Sequence, residues 1–419
     1  MNSGVIKLAG LSWRYLWSRP LAAVLNLLVL TLGLAAITLV LLVATQLDKA
    51  FERDLSGIDL VVGAKGSPLQ LILAGVFHID VPTGNIPLQE VQALQKNPLV
   101  AQVIPLSLGD SYQGFRIVGT TPDYVAHYEA TLAEGALWQQ PMDAVLGATV
   151  ARGIVKASHA GAPLVGATFI GSHGLGGSGG GGHAHGNHPY RVNGVLAPCG
   201  CVLDRLILTS TESVWMVHET ATANDAEDLE ILKEEREVTV ALVRYRTPMA
   251  AITLPRQINA DTALQAAAPA IEVTRLLRLL GVGADVLRAF GGVLLAVAAL
   301  SVFIALWNAV RERRADLAML RMLGAPPGRV AGLVLCEALC EALWLAALAS
   351  ALGLLLGHAL AHGLGWALQA QGLLPVTGWI WLPAEAGVPL LAAGVAALAA
   401  LLPAVQAYRT DVADLLSQP

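Results

Sequence analysis

Charge is scarce in this chain. Of 419 residues only 14% are Asp, Glu, Lys or Arg, 55% are hydrophobic, and the mean hydropathy is +0.60. That balance excludes an ordinary soluble protein and fits a membrane protein with soluble parts. Basic excess is missing too: the formal net charge is −5, so nucleic acid is not expected as a partner. No G-x-x-x-x-G-K followed by Ser or Thr occurs. If the protein uses ATP, another chain supplies the ATPase. Cysteine is limited to Cys199, Cys201, Cys336 and Cys340, which are not a disulfide framework. No Ser/His/Asp, paired-carboxylate or Cys/His set suggests itself, so no enzyme is expected. His78 and Asp80 are near each other in sequence but do not make a dyad.

Long apolar runs are abundant. Four can span a bilayer, at 21–47, 285–309, 330–360 and 384–407. Residues 1–20 contain IKLAGLSWRYLWSRP, in which Lys7, Arg14 and Arg19 sit among Trp13, Tyr15 and Trp17. That mixture reads as an interfacial helix on the cytoplasmic face. The first apolar run is too long for a cleaved signal peptide, so an uncleaved anchor is expected.

Between the second and third runs, residues 310–329 include RERRADLAMLRMLGAPPGR. Arg311, Arg313, Arg314 and Arg321 mark a cytoplasmic loop by the positive-inside rule. Leu317, Leu320 and Leu323 recur every three residues, as one side of a helix does. Gly324 offers a stop, and Pro326–Pro327 open the next helix. A basic amphipathic helix here suits a lipid surface or docking on a soluble partner. With four spans, this places the N-terminus, the loop and the 408–419 tail in the cytoplasm, and the 361–383 loop outside.

Residues 48–284 form an extracytoplasmic domain large enough for its own core. FRIVGTT, DAVLGATVA, YRVNGVLA, DRLILTS and VTVALVRYR read as strands. LQEVQALQK, TESVWMVHE and the acidic DAEDLEILKEERE read as helices, the last as a solvated one. The expected fold is four transmembrane helices plus an α+β domain of two lobes. One lobe would come from sequence near both membrane ends, the other from an insertion in the middle.

The chemical signal is histidine. Residues 171–189, GSHGLGGSGGGGHAHGNHP, carry His173, His183, His185 and His188, with His159 nearby. So much glycine reads as a mobile loop. Several neutral imidazoles close together suit Zn²⁺, Cu²⁺ or Ni²⁺; a solvated spacer is the plain alternative. Cys199 and Cys201 could add soft ligands, close a disulfide, or remain buried thiols. Glu337 and Glu341, one helical turn apart in the third span, should face a helix or water rather than lipid. His358 and His362 share a face in the same way. The stretch 59–87, DLVVGAKGSPLQLILAGVFHIDVPTGNIP, is apolar and turn-rich. It reads either as a cleft or permease–permease contact at the membrane surface, or as a buried strand and turn.

One span, a large outer domain and three clustered spans resemble the MacB/LolC/FtsX type of ABC transporter permease. RERRADLAMLRMLGAPPGRV is similar to that family's cytoplasmic coupling segment, and LLPAVQAYRTDVADLL to its closing tail. DAVLGATVARGI and HPYRVNGVLAP resemble outer-domain strands. The 59–87 stretch looks like a zinc-associated subgroup.

The resemblance implies a non-catalytic permease in a bacterial inner membrane. It would pair with itself or a paralogue and bind a cytoplasmic ABC ATPase dimer through Arg313, Arg314, Leu317, Leu320, Arg321 and Leu323. ATP-driven motion of the spans would then move the outer domain. Zinc handling, with a periplasmic metal-binding protein as partner, is the favoured role. Lipoprotein release with acyl chains at Leu69–Phe77, drug or peptide efflux, and activation of a periplasmic hydrolase are the alternatives.

Overall fold

A computed structural model of the protein describes residues 13–14, 17, 20–157, 163–174, 188–222, 226–312, 319, 322–370 and 376–409. The chain divides into two compact units. A helical unit takes 1–47, 280–369 and 375–419, and an α/β unit takes 48–279 and 370–374.

Among the described residues, four helices are long and apolar enough to cross a membrane. They lie in Pro20–Leu55, Pro269–Glu312, Pro327–Ala370 and Gly387–Arg409. The first three extend at both ends beyond the apolar runs that betrayed them, because hydropathy marks the span and not the helix, while the fourth starts three residues later than its run and ends two later. Their shared core is rich in alanine, with Leu34, Ala298, Ala346, Ala349, Ala392 and Ala400 all buried. Outward residues such as Leu21, Val286, Leu355 and Leu390 stay exposed, as an apolar solvent would allow.

Small residues set the closest approaches. A Cβ added at Gly353 would lie 2.8 Å from Leu34 Cβ, and one at Gly357 would lie 2.6 Å from Thr38 Cβ. Helix Pro327–Ala370 therefore presses its glycines onto helix Pro20–Leu55. On another face of the latter helix, Gly33 meets Gly291 and Leu294.

In the α/β unit the strands are β1 (Leu60–Ala64), β2 (Ile86–Pro87), β3 (Val100–Tyr112), β4 (Phe115–Thr120), β5 (Leu132–Gly135), β6 (Asp143–Leu146), β7 (Thr168–Phe169), β8 (Ser172–His173), β9 (Tyr190–Leu196), β10 (Leu206–Ser210), β11 (Glu237–Val238), β12 (Val240–Tyr245) and β13 (Leu264–Ala267). The main sheet runs β13-β1-β12-β3-β4-β10-β6-β9-β5, with β7 on β9 and β8 on β3. β10 pairs with β4, and β6 with β9, in parallel. β1 lies between β12 and β13, antiparallel to both.

Two hydrophobic cores form on this sheet. One holds Leu60, Val62, Val103, Val243, Leu254 and Leu264. The other holds Ile117, Leu146, Val150, Tyr190, Ile207 and Val217. Strand β3 runs from the first set of partners to the second. The two lobes expected from the sequence are thus not separated by the strand pairing, which is continuous.

Two expectations need correction. The strand in DAVLGATVA stops at Leu146, and Ala148–Ala157 is a helix. Gly147 allows the change of direction: a Cβ there would lie 2.1 Å from the Leu203 carbonyl oxygen. Val150 and Ile154 then face the core at helical spacing. Second, the stretch read either as a membrane-surface cleft or as a buried strand and turn is largely buried over 71–77, but as a helix and not a strand. Ser67 caps the helix Pro68–Gly75, accepting from the Gln70 N–H, with proline at the first turn. Leu71, Ile72, Ala74, Val76 and Phe77 are at most 1% exposed. Acyl chains find no surface on these side chains.

His78 follows at φ +55°, fully buried, its Nε2 sharing a 3.0 Å hydrogen bond with the Tyr124 hydroxyl. Burial holds the imidazole well below its usual 6.5, and the charges of Arg116 and Arg205 push the same way. The fold therefore keeps His78 neutral while the unfolded chain takes up a proton below that value. Stability from this group is full above pH 6.5 and falls on acidification, by about 1.4 kcal/mol per pH unit. Calorimetric unfolding of the full chain should show a shallower fall between pH 6.5 and 5 for His78→Gln than for wild type. Equal slopes would mean that the imidazole ionises in place.

Candidate functional site

Three elements of the α/β unit bring ligating side chains together. β3 contributes Asp110 just beyond an irregularity in its pairing with β4, between Leu108 and Asp110. Such bulges re-aim a side chain. β8 pairs with β3 so that His173 stands directly across from Asp110. Helix Thr211–Thr222 buries Val214 and Val217 and carries His218. Gly119 on β4 lets that helix lie close, since a Cβ there would be 2.6 Å from Val214 Cγ2.

His173 Nδ1 lies 3.1 Å from one Asp110 oxygen and His218 Nε2 lies 3.8 Å from the other. The imidazole ring centres are 4.9 Å apart. One ligand atom from each of the three residues lies within 4.8 Å of the others. The Asp110 side chain is 2% exposed, those of His173 and His218 42% and 38%. Chemically this is a buried anion with two solvent-reachable nitrogen donors, able to pair charges or hold a divalent transition metal.

His218 also lines an open cavity of about 690 Å³, together with Ser107, Trp215, Glu219, Glu235 and Arg236. Its wall is braced. Arg236 donates to both Glu219 oxygens at 2.7 and 3.2 Å and lies 4.6 Å above the Trp215 ring. Trp215 Nε1 donates to the Glu237 carbonyl. With Glu219 matched by Arg236, the exposed Glu234, Glu235 and Glu237 give the mouth an acidic character.

Of the residues expected from sequence as metal ligands, His173 joins this cluster. His188 is half-buried just before β9, and His183 and His185 lie outside the described residues. Cys199 and Cys201 are bonded to each other as a disulfide. This corrects their place among the candidate ligands, because a metal takes thiolates and the bond leaves none. The loop they bracket is tied down elsewhere: Asp204 accepts from the Cys199 and Gly200 N–H groups, and Arg53 donates to the Gly200 carbonyl. Asp110 and His218 were not legible as ligands. They are far from the glycine-rich stretch in sequence, and only strand pairing and helix packing bring them to it.

In the helical unit, His358 and His362 do not act as a pair. His358 Nδ1 donates to the Gly378 carbonyl at 2.7 Å, and its Nε2 meets Glu385 at 3.0 Å, with both side chains under 10% exposed. The other Glu385 oxygen accepts from the Leu382 N–H. Trp381 lies over the His358 ring, while His362 meets Trp379 edge-on. Glu337 and Glu341 are half-buried on helix Pro327–Ala370.

The segment expected to meet the ATPase is described only in part. Arg313, Arg314, Leu317, Leu320 and Arg321 lie outside the described residues, and Leu323 is 80% exposed. Gly324 takes φ +94°, the left-handed conformation of a helix stop, and the next helix begins at Pro327.

Comparison with known proteins agrees with this architecture. The model of the MacB-like periplasmic core domain family matches residues 23–269. That of the FtsX-like permease C-terminal family matches 288–412. No curated protein matches the chain. Among solved structures, the periplasmic region of MacB from Actinobacillus actinomycetemcomitans shares 12% identity over 54% of this chain and 95% of that one, with a TM-score of 0.34. The extracellular domain of the noncanonic ABC-type transporter YknZ from Gram-positive bacteria shares 13% over 50% and 98%, with a TM-score of 0.30. Neither likeness is strong enough to add to the family matches. On those two matches, in this order and over most of its length, the chain belongs to the MacB/FtsX type of ABC transporter permease.

Proposed function

We infer that this permease couples ATP hydrolysis on a separate cytoplasmic ATPase dimer to movement of its α/β unit, and that the unit handles zinc on the outer side of the inner membrane. The observation that carries the coupling is the order of parts: one apolar helix, the α/β unit, then three apolar helices, matched in that order by the two families. Arg313, Arg314 and Arg321 would meet acidic groups of the ATPase, while Leu317, Leu320 and Leu323 would seat in an apolar cleft. A second permease copy or paralogue would complete the assembly. The Cys199–Cys201 disulfide supports an oxidising compartment for the α/β unit. The histidines from His173 to His188 support a metal over a lipid cargo, and the burial of Leu71, Ile72 and Phe77 counts against acyl chains at those side chains.

The test is co-purification of the tagged chain from its native membranes with an ABC ATPase, read as ATP turnover. Wild type should bring down such activity. The triple change Arg313→Glu, Arg314→Glu and Arg321→Glu should reduce it at least tenfold, since each charge reversal meets a like charge. Equal activity in the variant would move the docking surface elsewhere. No activity with wild type would end the coupling reading.

A further inference from the structure

We propose that Asp110, His173 and His218 form an exchangeable site for a divalent transition metal, zinc foremost, with an open coordination position toward the acidic cavity. The proposal rests on the zinc-handling reading above and gives it an address.

Distance is the first argument. Zinc bonds to nitrogen and carboxylate oxygen are about 2.0–2.1 Å, so two donors on one tetrahedral ion stand about 3.3 Å apart. The donors here stand at 3.1 and 3.8 Å, and all three within 4.8 Å. Small rotations of two half-exposed imidazoles bring them onto one ion without moving the sheet.

Charge is the second argument. An imidazole–carboxylate ion pair needs one histidine, and here two converge on one carboxylate. With ring centres 4.9 Å apart, the two rings set two nitrogen donors beside one carboxylate, a donor set that a divalent transition metal takes. Asp110 supplies the anion from within the fold, where its attraction for a cation is least screened.

Access is the third. His218 lines the open cavity whose rim carries Glu234, Glu235 and Glu237. Acidic rims concentrate cations. Three protein ligands leave the fourth position of a tetrahedral ion for water or for a donor group brought by a partner. That arrangement suits loading and release better than the closed four-ligand shell of a structural zinc.

The test uses the full chain in lipid nanodiscs, without a polyhistidine tag and stripped by chelator. Zinc affinity is read by competition with a chromophoric chelator, and Co²⁺ is added to a second sample for its visible absorption. His173→Ala and His218→Ala each should weaken zinc by at least about tenfold and abolish the tetrahedral Co²⁺ band. The joint change of His183, His185 and His188 to alanine should leave the band in place. Asp110→Asn should match the histidine variants; if its burial prevents folding, the two half-exposed histidines carry the test. Binding that survives His173→Ala/His218→Ala overturns the site and leaves zinc handling standing, with the metal elsewhere. Equal losses in both sets of variants overturn the three-residue assignment. Failure of wild type to bind zinc overturns both.

Discussion

Replacing Gly353 and Gly357 together by leucine should dismantle the helical unit. At both positions the obstacle is a Cβ or the backbone of helix Pro20–Leu55, not the tip of a flexible side chain. Gly353 would meet Leu34 Cβ and the Thr31 carbonyl, and Gly357 would meet Thr38 Cβ and the Ala35 carbonyl. The helices have to part, and Leu34 and Ala346 lose the shared core around them. Overpacking costs about 1–3 kcal/mol per site, so the pair should lose about 2–6 kcal/mol. Among helices surrounded by lipid the loss is hard to recover, because apolar side chains gain nothing by staying together and close packing does the holding. The readout is thermal unfolding of the detergent-solubilised chain and its monodispersity on a sizing column. A double variant with an unchanged midpoint would show that these helices do not touch through the two glycines.

Glu385→Ala should be nearly as damaging, and Glu385→Gln nearly silent. The reason is a proton count. His358 Nδ1 faces the Gly378 carbonyl, which only accepts, so that nitrogen carries a proton. The Leu382 N–H occupies one Glu385 oxygen as acceptor. The 3.0 Å contact between Nε2 and the other oxygen therefore holds one further proton, on the ring or on the carboxyl. A glutamine reproduces the carboxylic-acid form: its amide donates to Nε2 and its oxygen accepts from Leu382. Alanine leaves a buried imidazole with nothing opposite, at a cost of about 3–5 kcal/mol if the ring is charged and about 1–3 kcal/mol if neutral. Unfolding midpoints of the two variants, measured side by side, separate shape from proton. Equal destabilisation by alanine and glutamine would show that the pair depends on full ionic charge.

Much of the architecture was legible because periodicity and hydropathy act locally. The four apolar runs, the strands at 115–120, 190–196, 206–210 and 240–245, and the helices at 88–95 and 211–222 all announce themselves within a short window. What escaped depends on partners. GATVA alternates like a strand, yet it winds into a helix because Gly147 can sit against the Leu203 carbonyl. LQLILAG was open between a membrane-surface cleft and a buried strand and turn; Val240 and Val61 pack on Gly75, and the segment joins the core as a helix. The metal candidate was half visible. His173 stands in a conspicuous stretch, but Asp110 and His218 sit in sequence of ordinary strand and helix character. No spacing rule joins them, since the join is made by β8 pairing with β3 and by the packing of the 211–222 helix.

The position of β1 governs the order in which the α/β unit can be completed. Leu60–Ala64 emerges early from the ribosome, but its neighbours on both sides, β12 and β13, are among the last parts of the unit to be made. Until they arrive, β1 has both edges open and Leu60 and Val62 lack most of their core. Closing the sheet then requires joining distant stretches of chain, a slow step whose loop-closure entropy comes before its reward. The unit should mature only after its last strand is outside the ribosome, and a chain stopped before residue 240 should leave β1 as an unpaired edge open to aggregation.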